Sequence, residues 1–345
     1  MDKRTESFTT SRETGPERHC SVARTLEILS NAWTFLVVRE AFFGIRRFQD
    51  FQAELGIPRA TLTDCLQRLT AADIFKQIRY QTSPDRFEYR LTDKGIDLYP
   101  SFLALLRWGD RWLWRGKTPP LALFHKTCGQ WIEPVTVCSG CTQVIRPEQV
   151  SYRDGPGAGC SAAPLHQRVR RVSDPETFLR GRRCSVARTL KIIGDRWSFL
   201  VIREAFFGVR RYDELCRNLR ISTNILAGRL QWLVAEGILL RAPCQEHSGR
   251  FEYRFTEKGK DLYASMIVML RWGDTWLSPE GPPLLLRHHV CGRDFHPVVA
   301  CNQCGKELHA RAMRYTSSTH SQQARIMVDR RGETARSPVG APAAK

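Results

Sequence analysis

The sequence has no run of about 18 apolar residues, the length a helix needs to cross a bilayer, so nothing in it reads as a membrane span. Its first residues, MDKRTESFTTSRETGPERH, lack the apolar core of a secretory signal. Both absences point to a cytoplasmic, reducing setting. No carboxylate pair or Ser-His pairing stands out as catalytic machinery, which argues against an enzyme. Negative charge is also scarce: 35 Asp and Glu stand against 53 Lys and Arg, for a formal charge of +18. The pI is near 9.8. Such an imbalance favours polyanionic partners, through phosphate neutralisation and counterion release. Cysteine is the exception to this scarcity. In a reducing compartment its 12 copies read as metal ligands or free thiols before disulfides.

At 345 residues and 42% hydrophobic composition the chain can form two or three folded domains. An internal duplication says which. CSVARTL at Cys20–Leu26 returns at Cys184–Leu190, and REAFFG at Arg39–Gly44 returns at Arg203–Gly208. RFEYR (Arg86–Arg90, Arg250–Arg254) and RWGD (Arg107–Asp110, Arg271–Asp274) keep the same offset of 164, which becomes 163 after Trp276. A period this long means two whole domains, not a solenoid of short repeats.

Each repeat parses alike. Ser21–Leu29 and Trp33–Phe43 read as helices with a turn at Asn31, matched by Asp195 in the second repeat; Gly44 and Gly208 stop the second helix. Phe48–Leu55 and Tyr212–Leu219 form a short third helix. The fourth spans about 57–74 and 221–238. Leu62, Leu66 and Leu69, and then Leu226, Leu230 and Leu233, recur at i, i+4, i+7 on one apolar stripe. Lys76–Tyr80 with Phe87–Leu91, and Leu240–Pro243 with Phe251–Phe255, read as hairpins around Ser-, Pro-, Asp- and Gly-bearing turns. A long helix then runs from Thr92 or Asp93 to Leu113, and from Thr256 to Leu277. Its tryptophans (Trp108, Trp112, Trp272, Trp276) read as packing residues. This is the order of a winged helix-turn-helix, with the hairpin as wing and the leucine-backed helix turned toward a DNA major groove.

A second pattern follows each repeat: His125-x2-Cys128-x9-Cys138-x2-Cys141, and His288-x2-Cys291-x9-Cys301-x2-Cys304. Two ligand pairs joined by a short loop is a zinc-ribbon-like layout. Three thiolates and an imidazole make a closed, structural site, so two zinc ions are expected, one per repeat, with His289 as a substitute for His288.

The repeated motifs (Cys-Ser-Val-Ala-Arg-Thr-Leu, Arg-Glu-Ala-Phe-Phe-Gly with its Arg-Arg pair, Arg-Phe-Glu-Tyr-Arg with the following Thr-x-Lys-Gly) resemble those of the HxlR family of bacterial transcription regulators over about 20–113 and 184–277. The resemblance implies a winged helix DNA-binding domain, normally one per chain, in a homodimer paired through its first and last helices. This chain is similar to two such subunits fused: an intrachain pseudo-dimer, to which a further homodimer remains open. The family's helix carries an Asn near its start, an Arg before the second stripe leucine and a Gly at its end. The second repeat keeps these as Asn224, Arg229 and Gly237, and the first has Ala60, Cys65 and Asp73. The first head is therefore expected to bind more weakly or to read a different half-site. Some members sense oxidants or electrophiles through a cysteine near Cys20 and Cys184. The alternative is a small buried residue at the interface.

The expected fold is mainly α with small β wings (α+β). A mobile tail (1–18) precedes winged domain 1 (19–118) and its Cys-rich extension (119–146). A linker (147–182) leads to winged domain 2 (183–281), its extension (282–309) and a disordered tail (310–345). The expected partner is duplex DNA, the location the nucleoid, and the effector a small molecule or redox signal. The expected DNA contacts are Arg59, Thr61, Thr63, Asp64, Gln67, Arg68 and Arg86 in the first repeat, and Ser222, Thr223, Asn224, Arg229, Gln231 and Arg250 in the second. Trp232 is read as packing. An interaction scaffold with weakened DNA binding is the competing possibility.

Overall fold

The computed structural model describes residues 17–29, 31–116, 119–161, 185–244 and 250–317. Cys184, most of the expected N-terminal tail and the later parts of the linker and C-terminal tail lie outside these residues.

The first repeat begins with β1 (Glu17–Arg18), α1 (Ser21–Ile28) and α2 (Ala32–Phe42). Asn31 caps α2, its side chain accepting the Thr34 amide at 3.1 Å, and Gly44 ends the helix at φ +91°. α3 (Phe48–Leu55) and α4 (Arg59–Ala71) follow, then the wing hairpin of β2 (Phe75–Thr82) and β3 (Asp85–Leu91). Leu62, Leu66 and Leu69 are at most 1% exposed, so the expected stripe is what anchors α4. Each such leucine stabilises the fold by roughly 1.5–3 kcal/mol.

The long helix expected next is two helices, α5 (Asp93–Ile96) and α6 (Tyr99–Trp112). Thr92 caps α5, and a Cβ on Gly95 would run into the Ile74 carbonyl oxygen, so α5 is pinned to the end of α4. α6 then turns away to meet the other repeat. Pro100 in its first turn has no amide to lose there.

The extension follows as β4 (Leu121–His125), β5 (Gln130–Ile132) and β6 (Pro134–Cys138). The expected linker is ordered at its start: a 3-10 turn at Pro147–Gln149, β7 (Val150–Asp154) and β8 (Cys160–Ser161), the last paired with β1. Residues 147–161 are therefore structure and not spacer, and the N-terminal tail stops short of Glu17.

The second repeat runs in parallel: α7 (Ser185–Ile193), α8 (Arg196–Phe206), α9 (Tyr212–Leu219), α10 (Thr223–Ala235), wing strands β9 (Leu239–Pro243) and β10 (Phe251–Phe255), α11 (Glu257–Lys260) and α12 (Tyr263–Leu277). Its extension is β11 (Leu284–His288), β12 (Arg293–Phe295), β13 (Pro297–Cys301) and, after a 3-10 turn, β14 (Met313–Ser317). β14 lies inside the expected C-terminal tail, which it corrects.

The two repeats pack through α1 against α12 and α7 against α6. The tryptophan, serine–aspartate and glycine contacts come in matched pairs, while Arg24, Arg107, Arg111 and Arg196 make contacts across the interface that are not repeated among the described residues. Trp108 Nε1 donates to the Lys258 carbonyl and Trp272 Nε1 to the Lys94 carbonyl, both at 3.0 Å. Trp112 Nε1 donates to Asp261 at 2.8 Å and Trp276 Nε1 to Asp97 at 2.7 Å. The Ser21 hydroxyl donates to Asp274 at 2.5 Å, and Ser185 donates to Asp110. A Cβ on Gly109 or Gly273 would strike the carbonyl oxygen of Ser185 or Ser21, so glycine sets how closely these helices approach. The RWGD motif is thus an interface motif: the indole reaches across, the glycine lets the backbones meet and the aspartate receives a hydroxyl.

The extensions exchange strands. β7 joins β11 and β12 of the second repeat in one sheet, and β14 joins β4 and β5 of the first. β6 pairs with β13 antiparallel, Cys138 opposite Pro297 and Cys301 opposite Pro134. Two separate ribbons, one per repeat, are not formed.

Candidate nucleic-acid interface and metal centres

The outward face of α10 carries exposed Thr223, Asn224, Ile225, Gly228 and Gln231. Open space surrounds Gly228, and Ser222 stands at the helix cap without a side-chain hydrogen bond to it. The Tyr212 hydroxyl donates to the Thr223 carbonyl at 2.8 Å and fixes the helix entry. Ile225 was missed from sequence because an isoleucine on a helix reads as core, yet it is 42% exposed. An apolar side chain here suits a thymine methyl.

On α4 the corresponding face has exposed Arg59, Ala60, Asp64 and Gln67, with Thr61, Thr63 and Arg68 half-buried. The Thr63 hydroxyl bonds back to the Arg59 carbonyl at 3.0 Å, and the Arg59 guanidinium lies over the Phe48 ring at 5.4 Å. Asp64 replaces Gly228, so the first head presents a carboxylate where the second has open space.

Arg229 is engaged within the protein. Its Nε lies 3.2 Å from the Asp195 carboxylate that caps α8, and the side chain is 25% exposed. Trp232 donates to the Ile192 carbonyl at 3.2 Å, a packing role as expected. The left-handed end of the helix is Gly237 (φ +67°) in one repeat and Asp73 (φ +56°) in the other.

Arg86 on β3 and Arg250 just before β10 are exposed on the wings. Lys76 is also exposed. Arg79 pairs with Asp85, Arg90 with Glu88 at 2.9 Å, and Arg241 stacks on Phe251 at 3.8 Å, so these wing cations are partly spent on holding the hairpin.

The expected metal ligands gather into two clusters, grouped differently from the order of the chain. One is His125, Cys128, Cys301 and Cys304, and the other Cys138, Cys141, His288 and Cys291; within each the donor atoms lie within 4.8 Å of one another. Each cluster takes one pair from each repeat. The reason is β6. It carries Cys138 along the β6–β13 ladder, away from His125 and toward the turn after β11. His289 does not substitute: its Nε2 faces the Ser151 hydroxyl at 2.9 Å.

The geometry fits a tetrahedral ion. A centre with metal–sulfur bonds of about 2.3 Å and metal–nitrogen bonds near 2.0–2.1 Å has edges of roughly 3.5–3.8 Å. Here Cys128 and Cys301 sulfurs are 3.8 Å apart and Cys138 and Cys291 sulfurs 3.9 Å. The His125 Nδ1 lies 3.3 Å from Cys128 and 3.5 Å from Cys304, and His288 Nδ1 3.3 Å from Cys141 and 3.6 Å from Cys291. The second ligand of each pair is followed by a left-handed residue: Gly129 (φ +67°), Thr142 (+59°), Gly292 (+65°) and Gly305 (+70°). Inside the Cys-x2-Cys pairs backbone amides point back at the first sulfur, Gly140 to Cys138 at 3.3 Å and Gln303 to Cys301 at 3.4 Å. The Arg293 amide holds the Cys291 thiol below its ordinary pKa and the Lys306 amide does so for Cys304, while burial pushes Cys128 and Cys138 up.

Cys20 is buried at the N-terminal cap of α1. It lines a small apolar recess of about 40 Å³ at the junction of the repeats, with Arg203, Tyr152, Tyr263 and Met266. Burial weakens the Arg203 cation, but Cys20 and Glu204 beside it more than offset this and raise its pKa. Cys65 is buried on α4 and Cys216 donates to the Ile221 carbonyl at 3.3 Å, neither near a ligand cluster.

Residues 28–117 and 192–281 each match the family model described as HxlR-like helix-turn-helix, together more than half of the chain. The chain belongs to this family. Its HxlR-like domains are similar to uncharacterised HTH-type transcriptional regulators. One from Mycobacterium bovis is 49% identical over 128 residues, 37% of this chain and 81% of its own length. Another, from Synechocystis, is 32% identical over 116 residues, 33% of this chain and 86% of its own. Among solved structures, the transcription-factor candidate PA1607 is 34% identical, covers 37% of this chain and 91% of its own, and superposes with a TM-score of 0.35. Among the described residues no helix is long and apolar enough to cross a membrane.

Proposed function

We propose that this chain is a DNA-binding transcription regulator, a single-chain counterpart of a two-headed dimer, with α4 and α10 each entering a major groove and the wings tracking phosphates. The observation that carries this reading is the pairwise matching of the central interface bonds, Trp108 with Trp272, Trp112 with Trp276 and Ser21 with Ser185, which two subunits would make around a twofold axis. The two leucine-backed helices keep their polar faces open, and the excess of basic residues supplies the attraction to phosphate. The reading heads differ at Asn224 and Ala60, and at Gly228 and Asp64, so the preferred site is asymmetric. The clusters suit zinc in a structural role, since three thiolates and an imidazole leave no open position for catalysis.

The test is selection of duplex DNA from a random library with the full chain, followed by band-shift titration of Asn224→Ala and Gln231→Ala. Asn224→Ala should weaken the selected site by about 1–3 kcal/mol. Unchanged binding in both variants favours the interaction scaffold. A second reading, a thiol-responsive regulator, rests on Cys20 lying beside Arg203 in the apolar recess. Release of DNA on treatment with an electrophile, abolished in Cys20→Ser, supports it.

A further inference from the structure

We propose that the two ligand clusters are metal clasps between the repeats, and that the ions they hold fix the spacing and orientation of the two reading heads. The order of cysteines along the chain implies one site per repeat; the structure places half of each site on either side. His125 and Cys128 need Cys301 and Cys304 to complete a tetrahedron, and Cys138 and Cys141 need His288 and Cys291. Neither repeat closes a site alone. The ion class follows from the donors: a divalent cation of borderline softness, four-coordinate, with zinc the best match.

The clasps are mechanically connected to the heads. β6 and β13, which end in Cys138 and Cys301, lie against α6 and α12, the interface helices. Arg271 of α12 donates to the Pro297 carbonyl at 2.9 Å and pairs with Glu307 at 3.0 Å, fastening the second extension to its winged domain. Backbone ties close the exchange: Glu133 donates to Asn302 at 3.0 Å and His296 to the Ser139 hydroxyl at 3.1 Å. Two ions at these positions restrain the interface in the folded state, and losing them leaves only the helix contacts and the exchanged strands. The ligands must be deprotonated for the ion to bind, so occupancy couples to the free metal level and to thiol oxidation.

The grouping is tested on the whole protein. Wild-type chain is given one equivalent of zinc, its free thiols are alkylated, and intact molecules carrying one ion are fragmented by mass spectrometry. The clasp requires that Cys128, Cys301 and Cys304 are protected together, or Cys138, Cys141 and Cys291 together. Joint protection of Cys128, Cys138 and Cys141, or wild-type protein that retains fewer than two ions, overturns it. A variant pair reads the same question independently under chelator challenge. Cys128→Ser with Cys304→Ser should keep one tightly held ion, and Cys128→Ser with Cys141→Ser none; the reverse pattern refutes the clasp. The consequence for DNA rests on the assignment of α4 and α10 as reading heads, and is measured separately. On a selected duplex and on versions with one to five base pairs inserted between half-sites, the zinc-loaded chain should discriminate at least tenfold more than the chelated chain. Equal discrimination ends the regulatory claim while leaving the ion grouping intact, and failure to select any duplex ends the reading-head assignment alone.

Discussion

The Arg229 guanidinium lies 3.2 Å from the Asp195 carboxylate, and at the same two positions the first repeat holds Cys65 and Asn31. Both partners change together. In the second repeat the ion pair ties α10 to the cap of α8; in the first Cys65 is a buried thiol, and Asn31 is a neutral cap that still accepts the Thr34 amide at 3.1 Å. The difference between the copies at this position is therefore a difference in how the helix is held. Arg229→Cys alone leaves Asp195 without its cation, and a partly exposed pair of this kind stabilises by about 1 kcal/mol. Adding Asp195→Asn recreates the first repeat's arrangement and keeps a good cap. The double variant should recover most of the thermal stability lost by the single one and bind DNA as wild type does. A double variant that regains stability but still loses DNA affinity makes Arg229 a DNA contact after all.

Much of this was legible in the sequence, and the exceptions share a cause. The helices, wings and leucine stripes follow from local periodicity and turn chemistry, which act within a few residues. Gly44, Gly208, Asn31 and Asp195 sit where their backbone roles require. The ligands of both clusters were visible as pairs, because two residues of spacing fix a pair. Which pair joins which was not, because nine residues can fold back as a ribbon or run out along a partner strand, and β6 does the second. The same holds for β7 and β14: their pairing partners lie more than a hundred residues away, and their composition alone reads as linker and tail. Arg229, expected as a DNA contact, also has a partner inside the protein that the sequence did not show, the Asp195 carboxylate that caps α8.

Gly109 and Gly273 should not tolerate alanine. A Cβ at either position meets the backbone of the partner repeat, which cannot rotate away as a side chain would. Overpacking of this kind costs typically 1–3 kcal/mol. Each of Gly109→Ala and Gly273→Ala should lower the unfolding midpoint, and the double variant should lower it further. Alanine at both positions with an unchanged midpoint means the repeats are not pressed together at this crossing. Gly228→Ala, where a Cβ meets open space, is the control.

Asp110 and Asp274 make the interface sensitive to pH. Burial pushes each carboxyl up to about 6, against hydrogen bonds from Ser185 and Ser21 that work the other way. The folded state therefore holds these protons more tightly than the unfolded chain, whose carboxyls titrate near 3.8. Stability from this source is present in full below pH 4 and is lost as pH rises through 6. Asparagine imitates the protonated form. At pH 7.5 the Asp110→Asn and Asp274→Asn double variant should melt above the wild type, and the gap should close as pH falls to 5. A constant gap across that range would mean that both carboxylates are solvated.

The two heads should read unequal half-sites. Asn224 offers a bidentate donor and acceptor to a base edge, and Ile225 an apolar contact beside it. The first repeat has Ala60 and Thr61 at those positions, and its exposed Asp64 carries a charge that phosphate repels. One chain therefore favours a site whose halves differ, where a dimer of identical heads favours a palindrome. Sequences selected by the full chain should show one strongly specified half and one weakly specified half, about one helical turn apart. Asp64→Asn should raise affinity for any duplex, with the gain shrinking as salt screens the removed charge. The wild-type affinity itself should fall by about 0.9 log units per log unit of salt for every phosphate neutralised. Selected sites with two equally specified halves would require the second head to be supplied by another chain, and sedimentation of the DNA complex would then show two copies bound.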